Sequence, residues 1–541
     1  MSRLSNAAAK MQENNKLRRD ETEINFMGGE SYVINPVDTM KMVTASSIFG
    51  EPSYYRDGAR SAKYLPNTLV KKSSVIPDKY EGKNTEQIME QVIDEALSYD
   101  FKSTLDWAVE LRNKYYMRLN PQVIMVRAAC HPDRPFFTEK YPGYFNTINE
   151  AVMGRADEPM TQMAYYLYNN KGKKNNIPSI LKRSWKGRIS KLKARDIAKY
   201  KNHEIGLINA VRLCHANNEH INVLMSTGTF VADDSMKTWE NLKSEGKSWV
   251  EIFHSVDMGH MALLRNIRGV FTEVEDIDFC NEYMEKLKNG VLKGKQFPFR
   301  YYSAIKAVTN SSCHHKPIII DALNECLDIS VANMPKLKGK TMCLSDNSGS
   351  AWGTFNSEYG AVTVAEIDNL SSVLTAVCSD EGYVGKFGDE LKVHPISKRT
   401  GILEQSMKIS LNRYSDVGGS TEGGIWKFFR DAINNKEHWD NIFIYSDQQA
   451  GHGGLYGTGQ DRREYSDYEC KNGMINVFAL IEEYRKKVNP KVNVFSVQTA
   501  GYDNILVPEM AERCAIMYGW TGKESVFADA YINIWNNIQN K

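Results

Sequence analysis

The sequence lacks a long hydrophobic segment. No uninterrupted apolar run among its 541 residues approaches the ~20 residues that a membrane-spanning helix needs. The start of the chain, MSRLSNAAAKMQENNKLRRD, also lacks the apolar block of a signal peptide. We therefore expect a cytoplasmic protein that has no membrane among its partners.

Closely spaced cysteine pairs are missing as well. The nine cysteines are scattered, and none stands in a Cys-x-x-Cys pair, which argues against a disulfide framework and against a zinc site. We expect reduced and mostly buried thiols. The one cluster of soft ligands, Cys313-His314-His315, is a poor chelator because adjacent residues rarely bind the same metal ion well.

Motifs for catalysis are not evident either. Ser345 and Ser348 stand in a loop without a Gly-x-Ser-x-Gly elbow, and the loop GGSTEGG lacks the Gly-Lys-Ser/Thr ending of a phosphate-binding loop. Two-metal hydrolysis needs several carboxylates around paired ions, and only Asp346 and Asp447 are evident at one place in the predicted fold. We expect no enzymatic activity, and a metal-dependent hydrolase is the weakest of three hypotheses.

Positive charge is concentrated in one segment. Residues 1–335 hold 46 Lys and Arg against 40 Asp and Glu, a net charge of +6, whereas residues 336–541 hold 22 against 26, a net charge of −4. Residues 171–201 alone carry 12 basic residues and one acid, Asp196. So many like charges repel one another without a polyanion, which favours RNA or another polyanion as the partner. The alternative is a solvated face that binds nothing.

The first 335 residues have the pattern of a helical protein. Residues 1–30 are polar without an apolar period and predict an irregular N-terminal arm. From residue 31 to residue 335, apolar residues recur at helical spacing and strand-like alternation is nearly absent, which predicts helix pairs stacked as HEAT-like repeats. The segments that fit amphipathic helices are Ile88–Leu97, Leu105–Leu111, Val123–Ala129, Ile205–His215, Ala262–Val270, Phe279–Leu287 and Ile318–Leu327.

Residues 336–541 show a different pattern, in which helices alternate with short β-rich segments. Such alternation predicts a Rossmann-like domain with a parallel sheet covered on both faces. The fold class is therefore α + α/β. The predicted strands are Thr341–Ser345, Gly382–Phe387, Leu391–His394, Asn441–Ser446, Val492–Gln498 and Cys514–Tyr518, and the predicted helices are Val364–Cys378, Ile402–Leu411, Ile425–Ile433, Met474–Val488 and Ser525–Ile538.

Oxygen-bearing side chains follow two of these strands. Asp346, Ser348 and Ser350 come directly after the first strand, Asp447 ends a later one, and Thr421 lies in the glycine-flanked loop. Ligands of a parallel sheet bind beyond the carboxyl ends of its strands, and carboxylate and hydroxyl oxygens suit Mg²⁺. The sequence therefore predicts a site for Mg²⁺ or another divalent cation. The alternative is that Asp346 and Thr421 only cap turns and helix starts.

This constellation resembles the metal-ion-dependent adhesion site of von Willebrand factor A domains. The resemblance covers the C-terminal domain and implies that the five residues bind the metal directly or through water. It also implies that the open metal position takes a carboxylate from a partner protein. A protein-interaction adaptor that docks partners in this way is our alternative hypothesis for the function.

A second signal lies in the basic segment. Leu181, Trp185, Ile189 and Leu192 recur at helical spacing and predict one buried stripe, with the basic side chains on exposed faces. One helix from Leu181 to Lys201 would be about 30 Å long. A helix of that length follows several phosphates of an RNA helix, and release of their counterions gives salt-sensitive affinity.

Three motifs resemble those of TROVE-domain proteins, the Ro autoantigen family. LKRSWKGRISKLKARDIAKYK followed by INAVRLCHAN resembles the central segment of that family. SSIFGEPSYYRDGA, with Tyr54 and Tyr55, resembles its early signature, and DMGHMALLRNIRGV resembles its later one. A helical TROVE region followed by an A-type domain is also the order of that family. The chain thus resembles a bacterial or phage Ro-like protein over nearly its whole length.

The resemblance implies that the helical repeats close into a ring. Y-like structured RNA would bind the basic outer surface, and single-stranded 3′ ends of misfolded non-coding RNA would enter the hole, which is too narrow for a duplex. Family members act as RNA scaffolds and chaperones in RNA quality control, and some bacterial ones are tethered through Y RNA to a 3′ exoribonuclease. We expect a monomeric, ribonucleoprotein-forming scaffold.

Alternatives remain for several of the candidate RNA contacts. His215 matches the KYK…RLxH pattern of the family but also suits helix packing. Either Arg265 and Asn266 line the pore, or Asn266 caps a turn and Arg265 forms an internal pair. Tyr54 and Tyr55 are more often core aromatics than base-stacking platforms. The candidate RNA-binding residues are Lys182, Arg183, Lys186, Arg188, Lys193, Arg195, Lys199, Lys201, Arg212, His215 and Arg265.

Overall fold

The structure, a computed structural model, is helical in its first part and contains a mixed sheet in its last part. The residues that it describes are 22–24, 30–33, 35–45, 85–113, 117–170, 176–200, 205–230, 237–294, 296, 298–332, 334–353, 363–419, 421–448, 477–499, 504–507, 513–518 and 524–539. Within these residues, no helix is both long and apolar enough to cross a membrane.

Helices of moderate length make up most of the described chain between residues 36 and 330. Each buries an apolar stripe against its neighbours, so that α1 packs on α2, α3 on α4, α14 on α15 and α16 on α17. They are α1 (Pro36–Ala45), α2 (Thr85–Tyr99), α3 (Phe101–Asn113), α4 (Asn120–Cys130), α5 (Arg134–Lys140), α6 (Tyr144–Val152), α7 (Glu158–Asn169), α8 (Ser179–Ile189), α9 (Ala194–Tyr200), α10 (Leu207–Cys214), α11 (Glu219–Thr227), α12 (Trp239–Ser244), α13 (Trp249–Ser255), α14 (His260–Glu273), α15 (Ile277–Gly294), α16 (Pro298–Thr309) and α17 (Lys316–Ser330).

All seven amphipathic helices expected from the periodicity are present, but two other predictions are wrong. The single helix from Leu181 to Lys201 is two helices, because the chain turns between Ile189 and Ala194. The irregular arm expected for residues 1–30 is also wrong where it is described, since Thr22–Ile24 forms strand β1 and pairs antiparallel with β2 (Glu30–Val33).

The last part contains a six-stranded sheet of order β5-β4-β3-β6-β7-β9, in which only β5 is antiparallel to its neighbour. Every strand and helix predicted here is present. The elements are β3 (Leu337–Asp346), α18 (Gly349–Gly353), α19 (Val364–Val377), β4 (Ser379–Phe387), β5 (Leu391–Pro395), α20 (Ile402–Ser410), α21 (Glu422–Asn434), β6 (Asn441–Ser446), α22 (Val477–Lys487), β7 (Asn493–Gln498), β8 (Asn504–Ile505), β9 (Cys514–Tyr518) and α23 (Glu524–Gln539).

Both ends of the helical array pack on this sheet domain. At the first end, α1 contacts β9, and β2 pairs with β8 through Tyr32 and Ile505. At the other end, α17 contacts α20, where the Ile402 amide donates to Asp328 over 3.1 Å. The sheet domain therefore closes the helices into a ring.

The two faces of the sheet belong to two different hydrophobic cores. Alternate residues of a strand point to opposite faces. Leu344 and Ile444 share a core with the helices up to Phe230, whereas Phe443 and Tyr445 share another core with the helices from Leu242 onward. Each half of the ring is thus anchored to its own face of the sheet.

Candidate functional site

The predicted metal site lies at the carboxyl ends of two neighbouring strands. β3 ends at Asp346, and β6 ends at Ser446, directly before Asp447. The two strands are parallel and adjacent, with Ser345 opposite Tyr445. The pairing therefore brings Asp346 and Asp447 to the same edge of the sheet, as expected for a parallel sheet.

Hydrogen bonds join the predicted ligands into one cluster. Asp346 accepts from the Ser348 amide at 2.9 Å and from the Ser446 hydroxyl at 2.6 Å. The hydroxyl oxygens of Ser348 and Ser350 lie 3.1 Å apart, and the Ser350 hydroxyl donates to Asp447 over 2.7 Å. Ser350 is exposed while the other members of this cluster are buried, so the cluster opens to solvent at Ser350.

The glycine-flanked loop packs against this cluster. The Gly349 amide donates to the Gly419 carbonyl over 2.9 Å, and Thr421, which is buried, follows two residues later. Gly418 has a φ of +84°, and a Cβ on it would lie 2.0 Å from the Asp389 carboxylate, so the close approach of the loop needs glycine there. The five predicted ligands thus come from three loops at one edge of the sheet.

The capping alternative holds for only one of the two residues. The Ser348 amide donates to Asp346, so this carboxylate does cap the turn that follows β3. Thr421 stands at the start of α21, but its side chain makes no capping hydrogen bond to that helix. Capping therefore accounts for one hydrogen bond of Asp346 and not for the position of Thr421.

Burial and like charge shape the electrostatics of the cluster. Burial, followed by the charge of Asp447, raises the pKa of Asp346 well above its ordinary value. A divalent cation would relieve both effects. The donors are carboxylates and hydroxyls, which suit Mg²⁺, and no three His, Cys, Asp or Glu residues in the described part of the chain group to hold a metal. A cation at this edge therefore needs the serine and threonine hydroxyls.

The Cys313-His314-His315 cluster does not converge on one point. The Cys313 thiol lies 3.6 Å from the Arg268 carbonyl, whereas the His315 ring lies 2.7 Å from the Glu275 carbonyl oxygen. The His314 ring is 3.5 Å from the Glu275 carboxylate. Cys313 thus contacts α14, whereas the two histidines contact different atoms of Glu275, between α14 and α15.

The basic segment forms two short helices joined by a turn. The Asn218 amide nitrogen donates to the carbonyl oxygens of Ser190 and Leu192, at 3.2 and 2.9 Å, and so satisfies backbone groups that a continuous helix would have paired. The predicted apolar stripe is buried, since Leu181, Trp185 and Ile189 have no exposed surface. The stripe was predicted correctly, but the helix length was not.

The basic side chains on this surface have few internal partners. Six of them form no ion pair with any described residue. Five of these six side chains are exposed, and the sixth, Lys182, is half-buried. We call these six residues the basic surface. They are Lys182, Arg183, Lys186, Lys191, Lys193 and Arg195.

Two further arginines, Arg118 and Arg155, border the basic surface, and neither was predicted from the sequence. Arg188 donates to the carbonyls of Met153 and Gly154, at 2.9 and 3.1 Å, and this ties α8 to the loop before α7. In that loop Asp157 forms ion pairs with Arg155 and Arg118, at 3.0 and 2.9 Å. The Arg118 and Arg155 side chains are still 53% and 42% exposed. No local pattern marks Arg118, because its ion-pair partner Asp157 stands 39 residues further along the chain.

The remaining predicted RNA contacts are spread over several helices. Lys199 is exposed and lies 3.9 Å from Glu240. Arg212 and Arg265 are exposed on α10 and α14. His215 is exposed and ends α10 with a φ of +56°.

Some candidates have other surroundings than those considered from the sequence. The Asn266 amide donates to the Ala262 carbonyl within α14 over 2.9 Å, so it does not cap a turn. Lys201, Tyr54 and Tyr55 lie outside the described residues.

Comparison with known proteins gives a structural match and no sequence match. No protein-family model and no curated protein sequence matches this chain. The crystal structure of the Deinococcus radiodurans Ro (RSR) protein superposes on it with a TM-score of 0.58 at 12% sequence identity, and the match covers 93% of this chain and 99% of that chain. The likeness spans the helical ring and the sheet domain together. This protein therefore has the fold of a Ro protein, a ring of helices closed by a von Willebrand factor A-like domain.

Proposed function

We propose that this protein is an RNA-binding scaffold or chaperone. It binds Y-like structured RNA on the basic surface and holds 3′ ends of misfolded non-coding RNA in the ring, and so contributes to RNA quality control. The observation that carries this proposal is the basic surface itself, where no ion pair within the described part of the chain involves its six side chains. Fold likeness to a Ro protein supports it.

The physical argument rests on charge. Neighbouring cations without acidic partners repel one another, and a phosphate backbone removes that repulsion while it releases its own counterions. Arg118 and Arg155 extend the positive charge beyond α8 and α9 to the loop before α7. A surface formed by several helices follows a folded RNA better than a single straight helix does, because structured RNA is recognised largely by its shape.

The proposal assigns no catalytic step to the chain. Degradation of bound RNA would belong to a separate 3′ exoribonuclease, tethered through the RNA. We further propose a cytoplasmic monomer, with Mg²⁺ or another divalent cation at Asp346, Ser348, Ser350, Thr421 and Asp447. The bond network at the edge of the sheet and the chemistry of its oxygen donors support the metal site.

The decisive experiment is a filter-binding titration of the full chain with two RNAs at two salt concentrations. One RNA is a closed hairpin, and the other is the same hairpin with a single-stranded 3′ tail. We expect submicromolar binding of both at low salt and weaker binding at higher salt, because counterion release drives it. If neither RNA binds measurably even at low salt, the scaffold proposal is wrong.

A protein-interaction adaptor is the second candidate, and one observation favours it. Exposed apolar side chains stand beside the metal loop, since Leu411 and Tyr414 are 65% and 47% exposed and Arg413 lies over the Trp352 ring at 5.6 Å. A partner that docks a carboxylate on the ion would bury these side chains. Absence of RNA binding, together with a co-purifying protein that EDTA releases, would favour the adaptor.

A further inference from the structure

Helix α19 turns polar side chains toward the sheet. Asp368, Ser372 and Thr375 recur at helical spacing and are at most 2% exposed. The Thr375 hydroxyl is paired with that of Tyr445 at 2.6 Å. By contrast, neither carboxylate oxygen of Asp368 accepts a hydrogen bond of ordinary geometry from the described residues. A buried carboxylate without donors is costly, so Asp368 calls for a nearby positive charge.

Asp368 lies behind the metal loop. Its neighbour Asn369 accepts from the Ser345 hydroxyl at 2.7 Å and from the Asn347 amide at 2.9 Å, which ties the start of α19 to the residues beside Asp346. Thr499 acts to lower the pKa of Asp368, but the Thr499 hydroxyl donates its hydrogen bond to the Ser446 carbonyl over 3.2 Å.

Ser446 lies between Thr499 and Asp346. Its carbonyl accepts from Thr499, and its hydroxyl donates to Asp346 over 2.6 Å. Burial first, and then the charge of Asp346, raise the pKa of Asp368 well above its ordinary value, and Asp447 adds to the effect. This agrees with the geometry, in which Asn369, next to Asp368, binds the residues on both sides of Asp346.

We propose that Asp368 supplies a third negative charge to the divalent-cation site of Asp346 and Asp447 without touching the ion. This inference rests on the proposed metal site. Because no three acidic residues among those described group to hold a metal, Asp368 is a positioning residue that acts through the electric field of its carboxylate. Three carboxylates more than neutralise a doubly charged ion. The ion then holds the edge of the sheet together, and a further carboxylate from a partner protein is disfavoured.

Calorimetric titration with Mn²⁺ tests this on the full chain. The variants are Asp346→Asn, Asp368→Asn and the control Glu404→Gln, which removes an exposed carboxylate from α20 of the same domain. We expect Asp346→Asn to abolish binding, Asp368→Asn to weaken it tenfold to a hundredfold, about the range for groups behind metal ligands, and Glu404→Gln to leave it unchanged. Titrations in buffers of different ionisation enthalpy should show that the wild type releases more protons than Asp368→Asn.

The outcomes separate the two levels of the proposal. If the wild type binds no Mn²⁺, the metal site and the role of Asp368 both fail. If Asp346→Asn abolishes binding while Asp368→Asn binds as tightly and releases as many protons as the wild type, only the role of Asp368 is overturned. If Asp368→Asn does not fold, Asp368→Ser takes its place. In EDTA we expect both Asp368 variants to be at least as stable as the wild type, because they remove a buried carboxyl group that accepts no hydrogen bond of ordinary geometry from the described residues.

Discussion

The Ser350 hydroxyl donates a hydrogen bond of 2.7 Å to a carboxylate oxygen of Asp447, 97 residues further along the chain. The bond links the loop after β3 to the end of β6. Ser350 is exposed, whereas Asp447 is 2% exposed. At the proposed metal site, a cation entering from solvent would therefore meet Ser350 first, and this hydrogen bond would give way to contacts between the ion and the two oxygens.

Ser350→Ala should weaken Mn²⁺ binding about tenfold or more, because it removes one of the few oxygen donors near two buried carboxylates. The measurement is a calorimetric titration of the full chain. Ser415→Ala is a matched control, since Ser415 is an exposed serine in the same domain whose hydroxyl donates to the Asn412 carbonyl. Equal Mn²⁺ affinity of the two variants would contradict the assignment of Ser350 as a ligand.

Charge reversal of the basic surface should weaken the binding of structured RNA. We expect the triple variant Lys186→Glu, Lys193→Glu and Arg195→Glu to bind at least tenfold more weakly than the wild type. The slope of log affinity against log salt should be shallower by about 0.9 for each lost phosphate contact. The measurement is a filter-binding titration of the hairpin RNA at several salt concentrations.

A triple variant with the same charge change elsewhere controls for non-specific electrostatics. Lys338, Arg399 and Lys408 are exposed on the sheet domain, and their conversion to Glu should change RNA affinity much less. An unchanged affinity of the first triple variant would show that the RNA surface is assigned to the wrong part of the ring.

Arg118 tests whether the RNA surface extends past the two basic helices. Arg118→Gln keeps a polar side chain, and Asp157 retains its ion pair with Arg155. We expect weaker binding of every structured RNA and a salt slope reduced by about 1, the signature of one lost phosphate contact. Arg399→Gln on the sheet domain is the control. A salt slope equal to that of the wild type would place Arg118 outside the interface.

The sequence predicted those features that depend on short periods along the chain. Apolar spacing located the helices of the ring and the strands of the sheet, because burial of a stripe or a face is encoded within ten to fifteen residues. The positions of Asp346 and Asp447 also followed, since strands of one parallel sheet end at a common edge.

Features that depend on distant contacts were missed. The break between α8 and α9 is stabilised by Asn218, more than 25 residues further along the chain. Arg118 pairs with Asp157, 39 residues further along the chain. Asp368 is a polar residue within a helix, and only the packing of that helix on the sheet shows that it is buried. Local patterns carry no signal for such contacts.

Asn218 stabilises the ring at the break between α8 and α9. Besides its two bonds to the turn after α8, its side-chain oxygen accepts from the Ile221 amide at 2.8 Å and so caps α11. Asn218→Ala should lower the free energy of unfolding by about 1–2 kcal/mol, the usual cost of a lost cap together with unpaired carbonyls. The urea midpoint measures the effect. The adjacent Asn217→Ala is the control, and an equal shift in both variants would contradict the role of Asn218.

The ring should also lose stability in acid through His260. This imidazole is held between α14, α15 and α16. Its Nε2 lies 2.8 Å from the Tyr301 hydroxyl, and it stands so close to Gly290 and Gly294 that a Cβ on either would fall within 2.7 Å of a ring atom. Burial lowers the pKa of His260 below its ordinary value of 6.5.

The sign of the effect follows from this shift. At a pH above 6.5 both the folded and the unfolded chain hold His260 neutral, so it contributes no pH dependence. As the pH falls below 6.5, the unfolded chain binds a proton that the folded chain binds less tightly, and the folded state loses stability until the pH reaches the lowered pKa. His260→Gln, which keeps a polar partner for Tyr301, should therefore lose less stability than the wild type between pH 7.5 and pH 5.5. Urea midpoints at the two pH values measure the difference, and His254→Gln, at an exposed histidine on α13, is the control. Equal acid sensitivity of His260→Gln and the wild type would exclude His260 as the titrating group.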